Sequence, residues 1–298
     1  MIKDKIENSI RANKNGIEGT IGFGFKDLET MEEFYVNGDK RFLTASVFKI
    51  PILVELYNQV ECGDLSLDET IILKKYDKAP GSGILKELRP GLKLTLKDLS
   101  ILMMAISDNT ATDMLLNKVG KEKVNTTMCK IGLKDTKIIF SCRELLYDLV
   151  NLKKETPIEE ALKVEEEIGI NKNARCLTDY RNNNVTTPKE TTYLFEKIFK
   201  CEILTKHACG EILKTLKKCQ TNWRIPRYLP ENVKIAHKTG AMPGVANDTG
   251  IIFTENGNYI LSIFLNNLDK DRNISIKGFD FIAELSKRVY DIYEASKR

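Results

Sequence analysis

The sequence is short of several things that would commit it to a particular chemistry. It holds two histidines, His207 and His237, in 298 residues. Neither falls in a context suited to a Ser-His-Asp triad, so a histidine-driven hydrolase is disfavoured. No stretch approaches the roughly 18–20 apolar residues of a membrane span. The opening residues, Met1-Ile2-Lys3-Asp4-Lys5-Ile6-Glu7, have no apolar run behind their lysines and do not read as a signal peptide. The expected location is therefore cytoplasmic, or exported if a leader has been removed. Seven cysteines are present, but an odd number without C-x-x-C spacing argues against a full disulfide framework and against a zinc ribbon. Reduced, mostly buried thiols are the expectation, in keeping with a reducing compartment. There is no large excess of either charge: 46 basic and 42 acidic residues leave a net +4, which calls for neither nucleic acid nor a membrane surface as partner. No internal repeat or low-complexity tract is visible, and no metal or organic cofactor is implied.

What remains is an ordinary globular composition, 42% hydrophobic and 30% charged, with length enough for one large domain or two. Residues 1–15 suit a helix. The alternation Gly19-Thr20-Ile21-Gly22-Phe23-Gly24-Phe25 reads as a strand, with Glu33-Phe34-Tyr35-Val36 as its hairpin partner. An apolar helical run follows from Val47 to Val60, with Pro51 in its first turns, where a missing N–H is tolerated. From 64 to 205 the pattern is mainly helical. Thr95-Leu96-Lys97-Asp98 has capping-box spacing, a further helix begins near Ser107-Asp108-Asn109, residues 153–185 read as polar and irregular, and Thr187-Pro188 opens a helix through Phe199. The period then changes. Lys234–Lys238, Thr249–Phe253 and Asn258–Leu265 read as strands, with Asn256-Gly257 as a hairpin turn, and residues 277–295 as an amphipathic helix. Strands at both ends and helices between them predict an antiparallel sheet covered by the terminal helices, with a helical domain inserted. The expected division is a discontinuous α/β sheet domain of residues 1–44 and 205–298 and a helical domain of 45–204, with a site in the cleft between them.

Three short motifs occur once each and in order: Ser46-Val47-Phe48-Lys49, Ser107-Asp108-Asn109 and Lys238-Thr239-Gly240. A serine hydroxyl is a weak nucleophile until a base takes its proton. Three residues along a helix is one turn, so Lys49 falls on the face of Ser46. Apolar neighbours such as Phe48, Ile50 and Ile52 depress the pKa of an enclosed lysine and free it to act as that base. Ser107 is then a proton relay to the leaving nitrogen, and Asn109 a partner for the lysine or a substrate amide. Asp108 ties the loop down. Lys238 supplies positive charge, Thr239 a hydroxyl for a substrate carboxylate, and Gly240 close backbone approach. The N–H groups of Ser46 and Ala241 are candidates for an oxyanion hole. An isolated S-x-x-K is expected about once by chance in a chain this long, and S-D-N alone is an ordinary helix cap. The ordered triple is far more specific than any member. The implied partner is a small acyl substrate carrying a carboxylate.

That order resembles the penicillin-recognising serine hydrolases, and class A β-lactamases in particular. The likeness extends through Gly81-Ser82-Gly83-Ile84-Leu85, Pro90-Gly91, Leu94–Leu99, Ser107–Thr112, Thr186-Thr187-Pro188 and Asp248-Thr249-Gly250-Ile251-Ile252, covering about residues 15–295. It implies the family's α/β sandwich plus all-α domain and acylation of Ser46. Arg224 resembles a position where some class A enzymes place an arginine for the substrate carboxylate, with Arg227 as the competing candidate. One departure is large. Class A enzymes carry E-x-x-L-N in the omega loop, where the glutamate activates the deacylating water, yet residues 168–188 hold no glutamate after Glu167. The family spacing, counted back from Pro188, lands near Asn171. Glu165, Glu166 and Glu167 read as a solvated helix face, and Asp179 lies in a different loop context. The segment Ala236–Asp248 resembles a less characterised branch of these hydrolases. Three readings follow: a β-lactamase; a D-alanyl peptidase, amidase or esterase of the same fold; or a penicillin-binding sensor. His237, beside Lys238 on a strand, faces the opposite side and is expected to be structural.

Overall fold

A computed structural model describes residues 2–13, 17–269 and 272–297, and its contacts divide the chain into two compact units. The first comprises residues 1–47, 186–200 and 220–298, the second residues 48–185 and 201–219. Among the described residues no helix is long and apolar enough to cross a membrane.

The first unit is built on a five-stranded antiparallel sheet. Its order is Glu33–Val36, Thr20–Asp27, Gly257–Asn266, Val245–Thr254, Lys234–Met242. Alternation in the sequence decides the faces. Phe23 and Phe25 of the first strand join Tyr259, Leu261 and Ile263 on one face. There they pack with Ile6 and Ile10 of helix Ile2–Asn13 and with Phe281, Leu285, Val289 and Tyr293 of helix Arg272–Ser296. Each such side chain contributes about 1.5–3 kcal/mol on burial. The opposite face receives helix Pro188–Phe199, where Thr192 donates to Ser262 Oγ at 2.9 Å and Ser262 in turn meets Thr249 Oγ1 at 2.8 Å. Thr187 caps that helix by accepting from the Glu190 N–H.

The second unit is helical. Helix Lys49–Glu61 lies at its centre, with Ile50, Ile52, Leu53, Val54 and Leu56 fully buried. Helices Leu96–Ala105, Asn109–Val119, Lys121–Ile131 and Lys206–Leu216 pack around it. Thr95 and Asp98 form the capping box expected of their spacing, each side chain bonding the other's backbone N–H.

Several boundaries differ from the sequence reading. Helix Pro188–Phe199 goes with the sheet, because its buried side chains meet that sheet's second face. Helix Lys206–Leu216 goes with the helical unit. Glu61 accepts from Thr205 N at 2.9 Å at its start, and Lys97 pairs with Glu211 at 2.7 Å. The stretch read as irregular holds helices Ile158–Ile168 and Arg175–Thr178. The first helix covers Ile2–Asn13, and the rest of the expected span lies outside the described residues. The K-T-G triplet does not close its strand but sits inside it, since Lys234–Met242 pairs along its whole length with Val245–Thr254. The last hairpin turns at Glu255 and Asn256, with Gly257 already opening the strand. None of the seven cysteines is in a disulfide, and four of them are buried.

An ion pair fixes the sheet to its second-face helix. Lys26 Nζ lies 2.7 Å from Glu196 and 3.0 Å from Glu33. Burial opposes the Glu196 charge, but hydrogen bonds from Lys200 and Lys26 outweigh it and hold the carboxylate below its ordinary 4.5. A carboxylate with a depressed folded-state pKa stabilises fully above its unfolded value and loses that contribution as pH falls through the folded one. Glu196→Gln is expected to lower unfolding free energy by about 1–3 kcal/mol at pH 7, read by urea denaturation. The gap between wild type and variant should shrink as pH drops below 4.5.

Candidate active site

The candidate residues form two groups, one in each unit. In the helical unit, Lys49 is fully buried. Its amine lies 2.7 Å from the Ser107 carbonyl oxygen, 3.0 Å from Ser107 Oγ and 2.8 Å from Asn109 Oδ1. Two of these partners only accept, so they take N–H bonds from the lysine. Ser107 Oγ can accept or donate. With a neutral amine, the Ser107 hydroxyl donates to the nitrogen lone pair, and a proton can pass along that bond in either direction. Burial pushes the Lys49 pKa down, while nearby acidic groups, Asp113 and Asp108 among them, work against it, and the net shift is downward.

The loop that presents these partners is held by Asp108. One carboxylate oxygen caps helix Asn109–Val119 by accepting from Ala111 N at 2.9 Å. The other accepts from Ile84 N and Leu85 N, at 2.7 and 2.9 Å. Those amides come from the Gly81–Leu85 segment that accompanies the S-D-N motif in the sequence. Gly83 has φ +105°, and a Cβ there would lie 2.3 Å from the Asp108 carboxylate, so both conformation and space require glycine. Ser107 itself takes φ +56°, a strained setting that turns both its carbonyl and its hydroxyl toward Lys49. The helix therefore begins at Asn109 with Asp108 as cap, within the triplet where the sequence places its start. Asn109 is fixed from behind, its Nδ2 donating to Pro80 O at 2.9 Å.

In the sheet unit, Ser46 belongs to a 3-10 turn, Ala45–Phe48, that leads directly into helix Lys49–Glu61. Ser46 alone is partly exposed in the otherwise buried stretch from Phe42 to Tyr57. The K-T-G strand lies against it. A Cβ on Gly240 would fall 2.5 Å from Thr44 O, closer than a side chain permits, and a tight 3.1 Å from Ser46 N. Glycine at 240 is thus what brings this strand to the main chain of the serine. Lys238 and Thr239 are buried beside it, whereas Ala241 is exposed. Lys238 donates to Thr239 O at 2.8 Å.

Arg224 is placed differently from the expectation of a carboxylate ligand. It is 3% exposed, and its Nη1 donates to Gly240 O at 3.1 Å and Asn247 O at 2.7 Å. The guanidinium stacks 4.0 Å from the centre of the Phe279 ring. These contacts brace the two strands next to Ser46. Arg227 forms a half-exposed ion pair with Asp280. His237 has the structural setting its strand parity predicts. Its Nδ1 meets buried Asp248 at 2.9 Å, and the second Asp248 oxygen accepts from Ile225 N at 3.0 Å.

Among the described residues no carboxylate in the omega-loop segment is positioned by its contacts as a base. Asp179 accepts from the N–H groups of Arg181 and Asn182 and from Asn182 Nδ2, and these bonds hold it below the ordinary carboxylate range. Asn171 is a loop staple, its N–H on Leu149 O at 2.7 Å and its Nδ2 on Asn151 at 2.9 Å. Glu167 is exposed and lies 3.8 Å from Lys163. The side chains of Glu165 and Glu166 lie outside the described residues. Sequence reasoning missed the structural asparagines. Asn184 accepts from Ile139 N and Phe140 N, at 2.7 and 2.8 Å, and donates to Phe140 O at 2.9 Å. The Asn182-Asn183-Asn184 run was the available signal. Among the described residues no cluster of three or more His, Cys, Asp or Glu is placed to hold a metal.

The depressed pKa of Lys49 has a kinetic consequence if it is the base. Acylation of Ser46 should rise with pH as the amine loses its proton, with a midpoint below the ordinary lysine value of 10.5. Stopped-flow acylation rates across pH should show a rising limb absent from Lys49→Ala, whose rate should fall at least about 100-fold at neutral pH.

Comparison with known proteins gives a consistent result. A model of the beta-lactamase enzyme family matches residues 1–293. The chain is 26% identical to beta-lactamase VEB-1 of Pseudomonas aeruginosa over 296 residues, covering 96% of this chain and 89% of that protein. The crystal structure of a beta-lactamase from Sphaerobacter thermophilus superposes with a TM-score of 0.80 at 28% identity, covering 98% of both chains. A mutant of PBP-A, solved as an acyl-enzyme complex with penicillin G, superposes with a TM-score of 0.79 at 25% identity, covering 98% of this chain and 97% of the other.

Proposed function

The chain belongs to the beta-lactamase enzyme family, and we propose that it opens β-lactam amides through an acyl-enzyme on Ser46. The observation that carries this reading is the Lys49 amine. It is buried, bonded to Ser107 and Asn109, and sits three residues after the one partly exposed position in a buried stretch. Lys49 takes the Ser46 hydroxyl proton as Oγ attacks the lactam carbonyl carbon. Negative charge gathers on the carbonyl oxygen and is stabilised by the N–H groups of Ser46 and Ala241. The C–N bond then breaks. The leaving nitrogen receives a proton from the Ser107 hydroxyl, which is restored from Lys49. Lys238, Thr239 and Gly240 bind the substrate carboxylate, and Asn109 its amide. Arg224 acts through the strand edge it braces.

Hydrolysis of the ester needs a second activated nucleophile, and here one observation favours a slower enzyme. The segment 168–188 holds no glutamate, and Asp179 is committed to its own turn. The supported reading is a serine β-lactam hydrolase whose deacylation lags its acylation. A D-alanyl peptidase, amidase or esterase of the same fold is the second reading, with a β-lactam as a slow surrogate.

Intact-protein mass after mixing with benzylpenicillin or a cephalosporin separates these. An adduct of the whole drug is expected, absent in Ser46→Ala, and clearing more slowly than it forms. Consumption of many equivalents of antibiotic supports the hydrolase. A permanent adduct supports the peptidase reading, and no adduct with any β-lactam overturns the assignment of this substrate class.

A further inference from the structure

We infer that Asn247 and Asn266 clamp the main chain just ahead of the nucleophile, and that Asn247 is a positioning residue for attack by Ser46. Asn266 Oδ1 accepts from Leu43 N at 2.7 Å. Asn247 Nδ2 donates to Leu43 O at 2.9 Å and to Thr44 O at 3.0 Å. Both asparagines are buried. They stand on neighbouring strands, Val245–Thr254 and Gly257–Asn266, so Leu43 is gripped through its N–H by one and through its carbonyl by the other. Both partners of Nδ2 are carbonyl oxygens, which settles the orientation of the amide. Its Oδ1 accepts no hydrogen bond among the described residues. A buried amide oxygen left unsatisfied is costly, and this position retains it together with an NH2 group that serves two carbonyls.

The gripped segment is the one that needs holding. Ala45 takes φ +42°, in the left-handed region that non-glycine residues seldom occupy. Such a conformation persists only where its surroundings over-determine it. Thr44 O receives Asn247 and also closes the turn by accepting from Val47 N at 3.0 Å. The Thr44 carbonyl therefore sets where the Ser46 N–H and hydroxyl point. The clamp is anchored in turn to the K-T-G strand. Asn247 is the register partner of Gly240, and Arg224 Nη1 joins the carbonyl oxygens of those two residues. A displacement of about 1 Å at an attacking group costs on the order of 100-fold in rate, so a clamp two residues from that group acts on attack rather than on drug binding.

The kinetic part of this inference rests on acylation of Ser46 by β-lactams. The test uses the full chain with Asn247→Ala, Asn247→Asp and Asn266→Asp. The limiting acylation rate and half-saturating concentration of benzylpenicillin are measured, along with hydrogen exchange over residues 44–48. A carboxylate at 247 replaces a double donor with acceptors facing two carbonyls. At 266 it keeps the acceptor that Leu43 N uses and loses one donor bond, from Nδ2 to Leu265 O. Both Asn247 variants should lose at least about tenfold in limiting rate, with half-saturation within about twofold, and should exchange faster at 44–48. Asn266→Asp should lose only about threefold. Wild-type rates and exchange in the Asn247 variants would sink the clamp, and so would equal losses at both positions accompanied by faster exchange throughout the sheet. If wild type forms no adduct, the acylation reading fails, while exchange at 44–48 still decides whether Asn247 holds the turn.

Discussion

A primary amine with no exposed surface is hard to place in a folded protein, and much of the helical unit is arranged around the one on Lys49. Burial without partners would cost several kcal/mol. The chain answers with three oxygens within 3.0 Å, two from Ser107 and one from Asn109. Supplying two of them from a single serine requires a positive φ at residue 107. Holding that strained serine requires the Asp108 cap, which requires the amides of Ile84 and Leu85, which requires a glycine at 83. The S-D-N motif is thus the visible part of a longer device, and the Gly81–Leu85 segment is its other half. Asp113 continues it by accepting from the amides of Cys142 and Arg143, at 2.7 and 2.9 Å, although burial still pushes its pKa up.

The sheet unit solves a different problem, which is to bring two backbones closer than side chains allow. Gly240 removes the obstacle, and the asparagines and Arg224 supply directional bonds across the same region. These contacts nearly all run from a side chain to a main-chain atom. That choice suits the proposed site, whose oxyanion donors would be main-chain N–H groups, because it fixes those atoms and leaves the Ser46 side chain free to move.

Legibility from the sequence followed the same division. Periodic features were readable: the alternating first strand, the apolar helix after Ser46, the Thr95 capping box and the two-ended sheet all rest on local pattern. The parity argument for His237 also worked, since strand geometry allows no other outcome. Contacts between distant segments left no such trace. Asn247 lies 204 residues from Leu43, and nothing in its neighbourhood announces the bond. Arg224 was readable as important but not as a brace, because a guanidinium that binds carbonyls looks the same in sequence as one that binds a carboxylate. The helix at Ile158–Ile168 was legible only as the solvated face of Glu165–Glu167, because its charges obscured its apolar period.

Forming an ester on Ser46 and removing it make separate demands. The first needs a base that can lose and regain a proton quickly, and a lysine depressed by burial and joined to a hydroxyl satisfies it. The second needs a group that orders water, which calls for a carboxylate free of other duties. The omega-loop segment spends its polar groups on itself instead. Asp179 closes a turn, Asn183 reaches Cys176 O at 3.0 Å, and Asn184 grips Phe140 from both sides. Asp148 from the neighbouring helix adds a 2.7 Å bond to Cys176 N. A loop stapled in this way is shaped by its own amides rather than by a catalytic carboxylate at its centre. Under the proposed function the two halves of the reaction are unequally provided for: attack has named residues to carry it, whereas among the described residues Asp179 of the omega-loop segment is already committed to its own turn.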